Sequence, residues 1–202
     1  MSERARRYLS LLEAARMVTL AALWLPILVS AALVFVASSV VWMVLPHHRD
    51  DFGGIPDEDA VREALSDPEV TPGQYHVPHA PDREAYGSDE MQRKFEEGPV
   101  AFVTVLPDGA PSMGKRFVQW FVYGLAVSAA AAYVAGATLP AGAEYMEVFR
   151  VTGTVAWVAY GAAYAGDSIW FGRPWSFSVK MVADGLLYGL LTAGVFGWLW
   201  PA

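Results

Sequence analysis

The chain of 202 residues contains no cysteine, and that absence removes disulfides, thiolate metal sites and cysteine nucleophiles in one step. Histidine is scarce. The four present, His47, His48, His76 and His79, all fall between the first two apolar blocks and none lies inside a block, so a haem held by two histidines within a helix bundle is disfavoured. Signatures of soluble enzymes are missing too, with no G-x-x-x-x-G-K-[ST], G-x-G-x-x-G, G-x-S-x-G or H-E-x-x-H. No catalytic residues, no enzyme activity and no cofactor are therefore expected. Charge is also sparse at 17%, against 54% hydrophobic residues, a balance that belongs to the membrane class once the apolar residues are gathered into long runs.

They are so gathered. The thirty residues from Met17 to Pro46 carry no charge, nor do the twenty-seven from Phe117 to Ala143, and both exceed the ~18 residues that mark a spanning helix. A third span is expected over 148–170, with Arg150 and Asp167 near its ends, and a fourth over 177–200 with Asp184 inside it. The expected architecture is an all-α polytopic membrane protein with transmembrane helices at 17–46, 117–139, 148–170 and 177–200. Pro26 is the expected bend of the long first helix. Residues 1–16 interleave Tyr8, Leu9, Leu11 and Leu12 with Arg4, Arg6, Arg7 and Arg16, a basic amphipathic segment suited to the bilayer surface.

Between the first two spans, residues 47–116 hold fifteen Asp and Glu against seven Lys and Arg. This acidic extramembrane cap reads as a small α+β unit. A short helix is expected over 57–66, where Pro56 and the acids of "PDED" suit a first turn. A second follows Ser88 as N-cap and stops at Gly98. "VAFVTVL" reads as a strand with "QYHV" pairing beside it. A surface this acidic excludes nucleic acid as a partner and favours basic surfaces or cations.

Two ladders of small residues stand out, Gly124, Ser128, Ala132 and Gly136 in the second span and Gly185, Gly189, Ala193 and Gly197 in the fourth. A repeat of four puts each set on one helix face, where backbones approach closely, within one chain or between copies. Asp184 begins the second ladder. An ionised carboxylate in hydrocarbon costs roughly 2.5–3.5 kcal/mol on insertion scales, so a partner is required. Lys180, one helical turn earlier, is the expected one, with Ser178, Tyr188 or a neighbouring helix as alternatives. Lys180 and Asp184 are also the groups an ion-conducting protein would use. The histidines offer a weaker chemistry, with His47, His48, His76 and His79 as candidate metal ligands beside Asp50 or Asp51, although H-x-x-H interrupted by Pro78 fits no structural zinc pattern.

Tryptophans mark interfaces at Trp42, Trp120, Trp170, Trp175, Trp198 and Trp200. Positive charge gives two votes on orientation. The four arginines before the first span favour a cytoplasmic N-terminus, whereas Lys115, Arg116, Arg173 and Lys180 favour a cytoplasmic loop; the first helix usually dominates. The stretches "LWLPILVSAALVFVASSVVWMVLPHHRDDFGGIPDEDAV", "GPVAFVTVLPDG" with "SMGK", "VFRVTGT" and "DGLLYGLLTAGVFGWLWP" resemble a group of small, functionally uncharacterised bacterial integral membrane proteins. The resemblance implies a four-helix membrane protein from a bacterium, assigns no activity, and does not extend over the basic N-terminal segment; the expected location is the bacterial inner membrane. The expected role is a noncatalytic accessory or scaffold subunit, surrounded by lipid and by other membrane subunits or further copies of itself.

Overall fold

The structure, a computed structural model, describes residues 17–202. The basic amphipathic segment expected over 1–16 lies outside the described residues. Two units are present. One comprises residues up to Asp51 together with Ser112–Ala202, and the other is Phe52–Pro111. The expected cap of 47–116 is thus too wide at both ends, because the turn after the first helix, with His47 and His48, belongs to the helical unit.

Three helices are long and apolar enough to cross a membrane: Leu20–Met43, Met113–Thr138 and Trp175–Trp198. The first consists of a 3-10 turn, Leu20–Leu23, followed by α1, Trp24–Met43. It is shorter than the apolar run that encodes it. Met17 forms an isolated β-bridge with Pro140, which keeps the chain before Leu20 extended. At the other end Leu45 takes ψ 143° ahead of Pro46, as a residue before proline must when its α conformation is blocked. Pro26, the expected bend, falls in the first turn of α1, where a missing N–H is tolerated.

The helical unit continues with α5, Met113–Thr138, capped by Ser112. Next comes a helical run of three parts: α6, Tyr145–Trp157, a π turn, Val158–Ala162, and α7, Ala163–Phe171. A capping box between Glu144 and Glu147 opens α6, and Gly172 at φ 64° closes α7 in the left-handed conformation that glycine adopts without strain. The last helix is α8, Trp175–Trp198. Its small-residue ladder packs against α6 and the π turn. A Cβ added at Gly185 would stand 2.7 Å from Gly161 Cα, and one at Gly189 would stand 3.0 Å from the Gly153 carbonyl. The ladder of α5 faces the first helix instead, with Gly124 over Ala31, Ser128 hydrogen-bonded to Ser30 at 3.1 Å, and Gly136 closed by the Val18 carbonyl. Both ladders are therefore used within one chain, on different partners. The core beside them holds Val34, Val127, Ala156, Tyr160 and Tyr188 in one cluster and Leu23, Ala132, Val148 and Phe196 in another.

The acidic unit carries α2, Glu58–Leu65, α3, Arg83–Tyr86, and α4, Asp89–Glu97. Side chains of Asp57, Asp82 and Ser88 cap them, and Gly98 at φ 60° ends α4. Strands β1, Gly73–Val77, and β2, Ala101–Val105, pair antiparallel with Tyr75 opposite Val103. The helices and the strand pair expected over this stretch are all present, and α3 is an addition.

Candidate functional site

The decisive local feature is the proline turn after α1. Pro46–His48 forms a 3-10 turn that folds His47, His48 and Asp51 back toward the first turns of α8, where Lys180 and Asp184 project. His48 Nε2 lies 2.7 Å from Asp184 Oδ2, and His47 Nε2 lies 3.3 Å from Asp184 Oδ1. On its other side the His48 ring places Nδ1 2.5 Å from Asp51 Oδ2. Lys180 Nζ donates to Asp51 Oδ1 and to the His47 carbonyl, each at 2.5 Å. Trp42 covers His48 face to face, with centroids 4.0 Å apart and planes 3° from parallel.

The expected Lys180–Asp184 pair is thus replaced. Residues one helical turn apart on α8 diverge, because the returning turn offers Asp184 two imidazoles and offers Lys180 a carboxylate and a carbonyl. Ser178 is occupied elsewhere, accepting from Ser168 at 2.7 Å and donating to the Tyr164 carbonyl at 2.9 Å. Tyr188 packs edge-on against Tyr160 with centroids 5.6 Å apart. Of the four histidines, two join this cluster. His76 lies against Phe102 within the acidic unit, with ring centroids 4.5 Å apart and planes tilted by 43°, and His79 is exposed there.

Burial sets the electrostatics. The side chains of His48, Asp51 and Asp184 are 3%, 4% and 9% exposed, whereas those of Lys180 and His47 are 32% and 35% exposed. Hydrogen bonding to Lys180, and next to His48, holds the Asp51 carboxyl below its ordinary value, so it stays anionic at neutral pH. A neutral imidazole has one ring proton and can satisfy one of the two carboxylates facing His48. The other contact then needs a second proton or a cation on the remaining nitrogen. His47, His48 and Asp184 are a group of this kind, each offering one ligand atom, all within 4.8 Å of one another.

A second feature is a cleft of about 490 Å³ lined by Arg116, Gln119, Trp120, Tyr123, Tyr160 and Tyr164 among others. The π turn shapes it, since the Ala159 carbonyl accepts from the Tyr123 hydroxyl at 2.7 Å. Sequence reasoning missed the role of Gly153 and Gly161 in α6 and the π turn. Gly153 meets Ala193 and Gly189, and Gly161 meets Val182 and Gly185; a spacing of eight with Trp157 midway is not the four-residue repeat of a small-residue face, so it carried no ladder signal. Comparison of the chain with protein-family models, with curated proteins and with solved structures gives no match.

Proposed function

We propose that the chain is a noncatalytic accessory subunit of a bacterial inner-membrane assembly, and that residues 52–111 are its docking element. One observation carries this reading. The unit Phe52–Pro111 buries a single hydrophobic side chain, Met91, while Ile55, Val77, Tyr86, Val100 and Leu106 are between 46% and 59% exposed. A unit of this size is marginal alone even with a full core, so apolar side chains left exposed on it gain from burial against a partner. Thirteen acidic against four basic residues in it favour a partner with a basic face.

In this reading the helical run from Tyr145 to Phe171 is a fourth span. Its twenty-seven residues measure roughly 40 Å at 1.5 Å per residue, and Val158, Ile169, Trp170 and Phe171 stand exposed as side chains facing lipid do. The arginines ahead of the first span favour a cytoplasmic N-terminus over the opposing vote of Lys115, Arg116, Arg173 and Lys180, and the bacterial origin that the resemblance implies makes the inner membrane the proposed location. Extraction in mild detergent with crosslinking and mass spectrometry tests the proposal. A defined partner should be retained, and lost on Ile55→Ser with Val100→Ser while the melting temperature of the chain holds. A monodisperse monomer that captures nothing overturns it.

Ion conduction is a second reading, favoured by the charged line from Lys180 through Asp51 and His48 to Asp184. Liposome flux should then fall on Asp184→Asn, and equal background leak in wild type and variant removes it.

A further inference from the structure

The chain turns two imidazoles onto one buried carboxylate at the head of α8. We infer that His47, His48 and Asp184 form a binding site for a divalent transition-metal ion of the zinc class, with Asp51 positioning His48 and Lys180 positioning the turn that carries His47. The proposal is independent of the accessory-subunit reading.

Four observations converge. The donor set, two imidazole Nε2 atoms and one carboxylate, is of the type that zinc takes with one coordination position left for water or another ligand. Spacing is compatible: donors around a tetrahedral ion with bonds of about 2.0–2.1 Å stand roughly 3.3–3.4 Å apart. His47 Nε2 and Asp184 Oδ1 are 3.3 Å apart, and one donor atom from each of His47, His48 and Asp184 lies within 4.8 Å of the others; the 2.7 Å between His48 Nε2 and Asp184 Oδ2 must open by about half an ångström for an ion to enter.

The outer partners are also in place. A metal-bound histidine nearly always donates its other ring N–H to a carboxylate or carbonyl, which fixes the tautomer and frees the ligating nitrogen. Asp51 stands 2.5 Å from His48 Nδ1 for that purpose, and Trp42 lies flat on the ring and fixes its plane. Lys180 bonds Asp51 and the His47 carbonyl, so its charge is spent on the supporting carboxylate and on the backbone of the turn.

Convergence completes the case. A single hydrogen bond from His48 to Asp184 does not account for the second Nε2, on His47, which faces the other oxygen of the same carboxylate. Two lone-pair nitrogens converging on both oxygens of one carboxylate make a pocket for a shared cation. His47, partly exposed, is the side from which an ion enters.

The test is titration of the full chain in detergent with Zn2+ alone, read by isothermal calorimetry and by elemental analysis after desalting. Co2+ in place of zinc reports the ligand field by its visible absorption, and X-ray absorption counts imidazole ligands. One equivalent per chain is expected, with two imidazoles in the shell. His47→Gln and Asp184→Asn should each abolish stoichiometric binding, Asp51→Asn should weaken it about 10–100-fold, and His76→Ala with His79→Ala should leave it unchanged. His47→Gln alters the most exposed ligand, so it keeps the test decisive if Asp184→Asn does not fold, with circular dichroism and gel filtration as the check. Failure of wild type to bind one equivalent, equal binding by a folded His47→Gln, or loss on His76→Ala with His79→Ala overturns the proposal. Loss of the subunit partner with zinc binding intact would bear on the accessory role alone.

Discussion

Replacing Gly185 with alanine tests the packing directly, because the added methyl meets backbone on every side. Its Cβ would lie 2.7 Å from Gly161 Cα, 2.8 Å from Gly161 N and 3.1 Å from the Tyr160 carbonyl carbon. Carbon atoms in contact prefer about 3.5–4.0 Å, so α8 and the π turn must part by about 1 Å. No rotamer relieves the clash. Separation on that scale propagates to Gly189 and Gly153, whose contacts lie on the same seam. Overpacking of this kind costs typically 1–3 kcal/mol, and alanine returns up to about 1 kcal/mol through its better helix propensity. With that return in full, the net loss expected for Gly185→Ala is therefore up to about 2 kcal/mol. Gly166→Ala is the matched control: it lies in α7 with nothing within 4 Å of its added Cβ, so propensity acts alone and the change should be neutral or stabilising by up to about 1 kcal/mol. Thermal or denaturant unfolding in one detergent, followed by circular dichroism, compares the two. Equal effects, or a more stable Gly185→Ala, would refute the claim that α8 and the π turn meet backbone to backbone.

Gly189→Leu should be more damaging than Asp184→Asn in the same assay, since the larger side chain must displace the Gly153 carbonyl and the Trp157 backbone; the reverse order would mean that the polar cluster outweighs the helix seam. Trp42→Ala should cost about 0.5–1.5 kcal/mol beyond its lost area, and a double-mutant cycle with His48→Ala should recover that coupling; zero coupling would deny the ring stack. Ser128→Ala removes the contact with Ser30 at 3.1 Å and should cost only about 0.6 kcal/mol, the usual size of a hydrogen bond between membrane helices; a loss several times larger would show that the contact organises the helix pair. Asp51, faced by Lys180 and His48, has a carboxyl pKa lowered below 3.8. Its stabilising contribution is complete at neutral pH and is lost as pH falls from the ordinary carboxylate value down through the depressed one. Acid unfolding monitored by tryptophan fluorescence should lose that step in Asp51→Asn, and identical acid profiles would contradict the ion pair.

Local signals in the sequence were read well because the physics behind them is local. Ser88 and Gly98 bound α4 as expected, since a capping oxygen or a left-handed glycine acts within one helical turn. The runs "QYHV" and "VAFVTVL" mark both strands, which pair as expected. The small-residue ladders were legible as faces but not as pairs. Nothing in a ladder names its partner, and the glycines that complete the α8 seam, Gly153 and Gly161, are too widely spaced to read as a ladder of their own. The π turn that presents Gly161 arises from tertiary packing and has no pattern of its own.

The partners of Asp184 were missed for a different reason, and the sequence did contain a route to them. Pro46 must end the first helix, and the residues after it are two histidines, an arginine and two aspartates before the chain departs into the acidic unit. Helices that run up and down in alternation bring the end of the first and the start of the last to the same end of the bundle. The imidazoles of His47 and His48 and the charges of Lys180 and Asp184 therefore meet by topology, at a separation of 136 positions between His48 and Asp184 that pattern reading along one helix does not cover. The energetics point the same way. A carboxylate that costs roughly 2.5–3.5 kcal/mol to place in hydrocarbon gains little from a lysine one turn away on the same helix, since such pairs contribute about 0.2–0.5 kcal/mol. It gains more from groups that also cover it from lipid. His48 does this with its ring against Trp42 and its two nitrogens facing Asp51 and Asp184, while Lys180 pairs with Asp51.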